Sequence, residues 1–479
     1  MNPKILITRM LASIGVGFFC YTLASVPPVG LSQLGWHTLG VSTLMALFWI
    51  SEAIPFAVTA LLPLVLFPFA GICSVSVAAA SYANPVIFLF LGGIFIANGL
   101  QRSHLHTRIA LKIISLAGTR KSAVIAGFLL ASAFLSMWVS NTAVALMMLP
   151  IAVSVIALFH HQRDASFASA LVLTVAYGSS IGGMSTLVGT APYAILAGFM
   201  LENYGIAIGF LSWMFLALPP ALILLGFSWV ILTKIAFRLK ENAGDDATDL
   251  LGIETKRLGS IGIGEFGVMA VFFVTAGLWL ARGFLQTWFP WLSDATISMA
   301  GGMTLFFLPL DRSWSSSILD KETLKTIPYD VLLLIGGGLS LAAAIHTNGV
   351  AAWVGSFAHR AASLPAPAVV SVILFVIICL AELTSNTATT SAFLPIVAAL
   401  AAGLNLPPLP LLAGVALASS CGFMLPVSTP PNAIVFSSRL VSISQMIRAG
   451  ILLNFGAWVI FSVWLGWVIP NVSVQILPW

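Results

Sequence analysis

The chain has 479 residues, of which 59% are hydrophobic and only 7% are charged, and its mean hydropathy is +1.05. Soluble domains carry about 25% charged residues, so this composition excludes a soluble globular protein and indicates an all-α polytopic membrane protein. The net charge of +5 does not predict a nucleic-acid partner, because basic residues in a membrane protein chiefly report orientation and contact with anionic lipid.

Apolar stretches close to the length of a membrane crossing, about 20 residues, follow one another along the chain. They lie near residues 10–29, 35–50, 53–73, 85–100, 165–182, 186–205, 209–236, 263–281, 293–310, 328–346, 409–437 and 448–470. Some of these stretches must be broken or joined, so about 11 transmembrane helices are expected.

Two long tracts with almost no charged residues each contain the triplet Ser-Asn-Thr: residues 122–162 carry none and residues 361–438 carry only Glu382. The first lies in SMWVSNTAVALMMLP (136–150) and the second in ELTSNTATTSAFLP (382–395), 245 residues further on. The same offset aligns VIFLFLGG (86–93) with VLLLIGGG (331–338). Two separated blocks in one register indicate an internal duplication.

A second pair of segments follows the triplets. GGMSTLVGTAPYAI (182–195) aligns with CGFMLPVSTPPNAI (421–434), and their Gly, Thr and Pro residues predict an interrupted helix in each repeat. The predicted organisation is as follows: scaffold helices over 1–52, a first repeat over 53–236 with a hairpin at about 122–162, a cytoplasmic linker over 237–261, and a second repeat over 262–479 with a hairpin at about 361–406.

The basic residues predict the orientation of the repeats. If the N-terminus is cytoplasmic and each triplet-bearing tract enters and leaves on one side, only Arg282 and Arg360 of the 20 Lys and Arg residues lie outside. The two repeats are then inverted, as in many secondary transporters. The segment after Arg102 is expected to form a helix with Leu105, Ile109, Ile113 and Leu116 on one face, either an amphipathic helix at the cytoplasmic interface or a plain loop helix.

The triplets have two possible roles. Ser, Asn and Thr all favour helix N-caps, so each triplet could simply begin a helix at a turn. Two equivalent triplets, each followed by a helix break, favour a shared binding site inside the protein. Helix N-termini attract anions, while free carbonyl, hydroxyl and amide oxygens suit hard cations. Because neither triplet core contains Lys or Arg, sodium coupling of an anion is the predicted chemistry.

The sequence resembles the divalent anion/sodium symporter family over essentially its whole length. The resemblance rests on five segments taken together: WISEAIPFAVTALLPLVLFP (49–68), SMWVSNTAVALMMLPIA (136–152), GGMSTLVGTAPY (182–193), TSNTATTSAFLPI (384–396) and MLPVSTPPNAIVF (424–436). It implies a homodimer in the bacterial inner membrane, two re-entrant helical hairpins tipped by the triplets, and elevator-type alternating access. Bacterial members carry C4 dicarboxylates.

The resemblance also implies roles for individual positions. The residues matching substrate ligands are Ser140, Asn141, Thr142, Ser385, Asn386, Thr387, Thr190, Thr429, Pro192 and Pro431. A first sodium site would use Ser136, Ser140, Asn141 and Gly189, and a second would draw on Ala381, Thr384, Asn386 and Ser428. No organic cofactor is expected.

Two positions depart from the family pattern, and a third has two possible roles. Ala381, the repeat partner of Ser136, has no side-chain oxygen, so either Thr384 compensates or the second sodium is weaker or absent. Tyr193 stands where the second repeat has Asn432 and the family often has Asn, and it is expected to reshape the pocket. Glu382 is either an ionisable functional group of the second tip or, the interpretation we favour, an acceptor for nearby backbone N–H groups.

The expected function is sodium-coupled import of succinate, malate or fumarate. The alternatives are a sodium-independent dicarboxylate exchanger and a carrier of another divalent anion such as sulfate, tartrate or citrate. An enzyme is not expected, because Ser140 and Ser385 have no visible activating base. The sequence shows no phosphate-binding loop, which argues against ATP-driven pumping.

Overall fold

A computed structural model describes residues 3–118, 120–158, 165–239, 259–358 and 365–468. The described chain is helical throughout and contains no β-strand. The helices before the linker are α1 (Pro3–Ala24), α2 (Gln33–Ser51), α3 (Phe56–Phe69), α4 (Val75–Ala80), α5 (Pro85–Arg102), α6 (Leu105–Ala117), α7 (Lys121–Ser136), α8 (Asn141–Leu158), α9 (Ala165–Gly183), α10 (Ala191–Tyr204) and α11 (Phe210–Val230).

The helices after the linker are α12 (Ile263–Leu285), α13 (Asp294–Thr304), α14 (Lys321–Lys325), α15 (Tyr329–Thr347), α16 (Val350–Ala358), α17 (Ala366–Ala381), α18 (Asn386–Gly403), α19 (Pro408–Ser419), α20 (Pro430–Ser437) and α21 (Ile443–Val463). Most of the predicted linker, residues 240–258, lies outside the described residues.

Eight helical segments of the described residues are long and apolar enough to cross a bilayer. They are Ile7–Ala24, Gln33–Ser51, Val75–Arg102, Ala165–Gly183, Phe210–Ala236, Ile263–Leu285, Tyr329–Thr347 and Ile443–Trp467. The stretches predicted near 53–73, 186–205, 409–437 and 293–310 are not among them, because their helices are shorter or interrupted. The helix in the last of these stretches, α13, has only 11 residues. It ends before Pro309, which cannot continue a helix, and before the polar turn that begins at Asp311.

The same succession of helices occurs on both sides of the linker, and the two halves interlock through equivalent glycines. α13 packs on α5, and α3 packs on α15. A Cβ atom at Gly92 of α5 would lie 2.5 Å from the carbonyl carbon of Ser298, and one at Gly337 of α15 would lie 2.2 Å from the carbonyl oxygen of Ala60. Gly92 and Gly337 are 245 residues apart, so each half uses the same glycine to accept a helix from the other half.

The predicted amphipathic helix forms as α6, and only part of it is buried against protein. Leu116 is 74% exposed, whereas Leu111 and Ile114 are buried. The reason is packing on α7, where a Cβ at Gly127 would lie 3.1 Å from Cα of Ile114. Protein contacts therefore select the buried face of α6.

Two ion pairs join the halves at the ends of α5 and α6. Arg102 pairs with Asp320, and Arg108 pairs with Glu265. The hydrogen bond from Arg102, together with those from Thr323, holds the pKa of the Asp320 carboxyl well below its usual range. All four groups lie near helix ends, where the sequence predicts the cytoplasmic side for both arginines.

Candidate functional site at two hairpin tips and two helix breaks

Each triplet lies at the turn of a helical hairpin. α7 ends at Ser136 and α8 begins at Asn141, while α17 ends at Ala381 and α18 begins at Asn386. We call the turns tip 1 (137–140) and tip 2 (382–385). The interrupted helices are α9 and α10, separated by break 1 (184–190), and α19 and α20, separated by break 2 (420–429).

Tip 1 and break 1 bring several oxygen atoms together. Ser136 Oγ donates a hydrogen bond to Asn141 Oδ1 at 2.7 Å. The Cα of Gly183 is so close to this amide that a Cβ there would lie 2.2 Å from Asn141 Oδ1. A Cβ at Gly189 would lie 2.5 Å from the carbonyl oxygen of Gly183 and 2.9 Å from that of Ser136. The predicted first sodium ligands Ser136, Asn141 and Gly189 are therefore neighbours.

Ser140 and Thr186 complete the local structure. Ser140 Oγ is 3.4 Å from the backbone N–H of Ala143, which is the N-cap arrangement, and the residue is exposed. Thr186 Oγ1 donates to the carbonyl oxygen of Met137 at 2.5 Å and accepts from the N–H of Gly189 at 3.1 Å. Sequence reasoning missed Thr186, although it lies inside the segment 182–193 that carries the family resemblance.

Tip 2 differs from tip 1 in its side-chain oxygens. Ala381 is completely buried and has no hydroxyl group. Thr384 Oγ1 lies 2.8 Å from the carbonyl oxygen of Leu380 and 2.6 Å from Thr389 Oγ1, so its hydroxyl already has two partners. Asn386 Oδ1 is buried without a hydrogen-bond partner. Tip 2 therefore keeps one free amide oxygen.

Glu382 is the centre of the contacts between tip 2 and break 2. Its carboxylate accepts from three successive backbone N–H groups and from two side chains. These donors are the N–H groups of Phe423, Met424 and Leu425, Ser428 Oγ at 2.6 Å and Asn454 Nδ2 at 2.6 Å. The residue is 6% exposed, and these contacts are those expected of an acceptor for nearby backbone N–H groups. Asn454, which sequence reasoning missed, ties α21 to the same carboxylate.

Threonines begin the helices that follow the breaks. Thr190 and Thr429 are the N-caps of α10 and α20, with extended backbones, and Pro192 and Pro431 lie in the first turns. Thr429 Oγ1 accepts from the N–H of Asn432 at 3.3 Å, whereas Thr190 makes no side-chain capping bond. Both threonines therefore stand at helix N-termini, but α20 begins with Pro430 and Pro431, which offer no N–H group to an anion.

The two halves exchange helices around these elements. α10 packs on α18 and α19, while α20 packs on α8 and α9. Each break therefore leads into a helix that packs on the triplet-bearing helix of the other half. No hydrogen bond among the described residues joins one triplet directly to the other, and Thr142, Ser385 and Thr387 are half-buried.

The oxygen atoms described at the two tips and the two breaks belong to neutral groups, except for those of the Glu382 carboxylate. Among the residues that the structure describes, no group of three or more His, Cys, Asp or Glu side chains could hold a metal ion. Hydroxyl, amide and carbonyl oxygens at broken helices suit a hard monovalent cation instead.

Comparison with known proteins identifies the family. The family model described as "Sodium:sulfate symporter transmembrane region" matches residues 7–472. The chain belongs to the divalent anion/sodium symporter family. This confirms the resemblance recognised in the sequence, and the family consists of transporters, not enzymes.

Individual relatives support this family assignment. The chain is 37% identical over 471 residues to the sodium-dependent dicarboxylate transporter SdcS of Staphylococcus saprophyticus, covering 96% of this chain and 91% of that protein. It is 38% identical over 479 residues to SdcS of Staphylococcus aureus, with the same coverage. Among solved structures, the YdaH transporter of Alcanivorax borkumensis matches with a TM-score of 0.57 at 12% identity, over 83% of this chain and 88% of that one. That likeness concerns the fold alone.

Proposed function

We propose that this protein is a secondary transporter that carries C4 dicarboxylates, such as succinate, malate and fumarate, together with sodium. The observation that carries the proposal is the oxygen cluster of Ser136, Asn141 and Gly183 at tip 1, beside break 1. Such a cluster suits sodium, because unwound carbonyls and uncharged side-chain oxygens are typical sodium ligands in transporters. The names of the two staphylococcal relatives support the same coupling ion and the same class of substrate.

The substrate carboxylates would bind at helix N-termini. α8 and α18 begin at the triplets, and α10 and α20 begin at Thr190 and Thr429. The N–H groups at the starts of α8 and α18 attract anions, whereas α20 begins with Pro430 and Pro431, which have no N–H group. The chain has no Lys or Arg between Lys121 and Arg163. The bound sodium would supply the positive charge that neutralises the dicarboxylate, which couples the two binding events.

Alternating access by an elevator movement is part of the proposal. α7 and α17 have 16 residues each and measure about 24 Å at 1.5 Å per residue, short of the roughly 30 Å hydrocarbon core. Hairpins of this length fit re-entrant elements that enter and leave on one side. We also propose inverted repeats, a homodimer in the bacterial inner membrane, and a cytoplasmic N-terminus, on the resemblance and the basic residues.

A specific observation favours a second candidate, a sodium-independent dicarboxylate exchanger. At tip 2, Ala381 offers no side-chain oxygen, and the hydroxyl of Thr384 already has Leu380 and Thr389 as partners. If the second sodium ion is absent, either fewer sodium ions accompany each dicarboxylate or transport is not coupled to sodium.

Uptake of labelled succinate into proteoliposomes separates the two candidates. With an inward sodium gradient, we expect uptake into empty vesicles, and none when choline replaces sodium. Uptake that ignores sodium and requires internal dicarboxylate would identify an exchanger. Competition by unlabelled malate, fumarate, citrate, tartrate and sulfate would define the anion class.

Restoring a hydroxyl at the second tip should strengthen sodium activation. We expect Ala381→Ser to lower the sodium concentration for half-maximal uptake about fivefold, since one hydrogen-bond-strength contact is worth about 1 kcal/mol. The measurement is sodium dependence of uptake at fixed succinate. Ala416→Ser, at another buried alanine, is the control. An unchanged sodium dependence in Ala381→Ser would show that no cation binds near residue 381.

A further inference from the structure

Two tyrosines of the first half reach break 2 in the second half. Tyr177, on α9, donates a hydrogen bond to the carbonyl oxygen of Phe423 at 3.1 Å, and its ring meets the Phe423 ring edge-on. Tyr193, in the first turn of α10, donates to Oγ of Ser420 at 2.8 Å. Both tyrosines are completely buried. Buried tyrosine hydroxyls usually have a partner, but here each partner belongs to the other half of the chain.

The residues at the equivalent positions of the second half make no corresponding contacts with the first half. The offset of 239 that aligns Thr190 with Thr429 places Ala416 opposite Tyr177 and Asn432 opposite Tyr193. An alanine side chain has no donor. The Nδ2 of Asn432 donates to two carbonyl oxygens of break 2 itself, both at 3.0 Å. The tyrosine contacts are therefore a departure from the internal symmetry, and the sequence marks one of them by placing Tyr193 where Asn is expected.

Ser420 is adjacent in the chain to a serine that contacts the helix of the second triplet. The adjacent Ser419 has its Oγ 2.7 Å from Thr390 Oγ1. Thr390 Oγ1 in turn donates to the carbonyl oxygen of Asn386 at 2.9 Å. The end of α19 therefore connects Tyr193 of the first half to Asn386 of the second triplet.

The ring of Tyr193 also packs against Trp213, which forms a hydrogen bond with break 1. Its centroid is 4.9 Å from that of Trp213. The indole N–H of Trp213 donates to the carbonyl oxygen of Met184 at 3.1 Å. Tyr193 thus contacts the supports of both breaks, and it lies in the same helical turn as Pro192, three residues after Thr190.

We propose that Tyr193 is a positioning residue that couples the two triplet sites, by fixing the end of α19 and with it break 2 and Asn386 relative to break 1. The proposal rests on the proposed function, because it concerns how the two halves of that binding site act together. Since Tyr193 is completely buried, it acts through Ser420 and not by touching the substrate.

Kinetics of three variants test the coupling. Tyr193→Phe removes only the hydroxyl, and Ser420→Ala removes its acceptor. We expect each to raise the KM for succinate and the half-saturating sodium concentration about fivefold, with the maximal rate changed by less than about twofold. The double variant should match either single variant, because both remove the same bond. Tyr204→Phe, at the far end of α10, is the control and should behave as the unmodified protein.

Hydrogen exchange gives a second readout that does not depend on transport. In the absence of substrate, Tyr193→Phe should increase deuterium uptake in peptides covering residues 420–429, because this segment begins at Ser420, the partner of Tyr193, while Tyr204→Phe should leave them unchanged. If the unmodified protein takes up no dicarboxylate but exchange rises in this way, the proposed function fails and the structural link stands.

Three results would overturn the coupling. One is a double variant whose effect equals the product of the two single effects. Another is a fall in maximal rate with unchanged KM and sodium dependence. The third is unchanged exchange over 420–429 in Tyr193→Phe. If Tyr193→Phe does not fold, the same kinetic and exchange criteria apply to Ser420→Ala.

Discussion

Replacing Asn141 by alanine is expected to reduce sodium-dependent succinate uptake to the background of protein-free liposomes. Asn141 Oδ1 is the central side-chain oxygen of the contacts at tip 1, because Ser136 donates a hydrogen bond to it and Gly183 lies against it. Loss of residues that merely support a metal ligand costs about 10–100-fold in affinity, so loss of Asn141, which we propose as a direct sodium ligand, is expected to cost at least as much. Initial uptake rates under an inward sodium gradient provide the measurement.

A second substitution displaces the same oxygen without altering Asn141. In Gly183→Ala the new methyl group would lie 2.2 Å from Asn141 Oδ1, a separation that real side chains do not tolerate, so the amide must move. We expect uptake to fall as far as in Asn141→Ala. Gly226→Ala is the matched control, because its Cβ would meet no atom within 4 Å.

Loss of activity must be separated from loss of folding. Asn203→Ala, at the end of α10, removes an amide that donates to the carbonyl oxygen of Phe199 and should retain transport. All variants should elute as the unmodified protein in size-exclusion chromatography. Uptake by Asn141→Ala above about a tenth of the normal rate would contradict the prediction, since direct ligand loss should cost more.

The sequence predicted much of the internal organisation, because the two repeats of a duplicated chain can be aligned with each other. The offset of 245 located both tips, and the structure begins α8 and α18 at the corresponding residues, Asn141 and Asn386. The Gly, Thr and Pro residues located both breaks. These features depend on local backbone preferences, which a sequence pattern reports directly.

Contacts that break the internal symmetry were not predictable in the same way. The partners of Glu382 lie 41 to 72 residues further along the chain, and the Tyr193–Ser420 pair spans 227 residues. A repeat alignment fixes equivalent positions but carries no information about which helix faces which. The packing of α6 shows the same limit: periodicity predicted a helix, and contacts with α7 decide which of its residues are buried.

Glu382 provides the second large expected effect, this time on stability. We expect Glu382→Ala to lower the free energy of unfolding by about 3–5 kcal/mol, because three backbone N–H groups and two side-chain donors lose their acceptor inside the protein. The melting temperature in detergent, followed by intrinsic tryptophan fluorescence, should fall by about 3–5 °C for a chain of this length. Glu322→Ala should have almost no effect, since the exposed Glu322–Lys325 pair belongs to the class of surface ion pairs that contribute little.

Glu382→Gln distinguishes a structural acceptor from an ion-coupling group. Its amide nitrogen would face N–H donors that the carboxylate now satisfies, so a structural Glu382 predicts an intermediate fall in melting temperature and a parallel fall in transport. A Glu382→Gln protein with an unchanged melting temperature and no transport would show that the carboxylate charge takes part in coupling. The geometry favours the first result, because both carboxylate oxygens already accept from the N–H groups of break 2 and from Ser428 and Asn454.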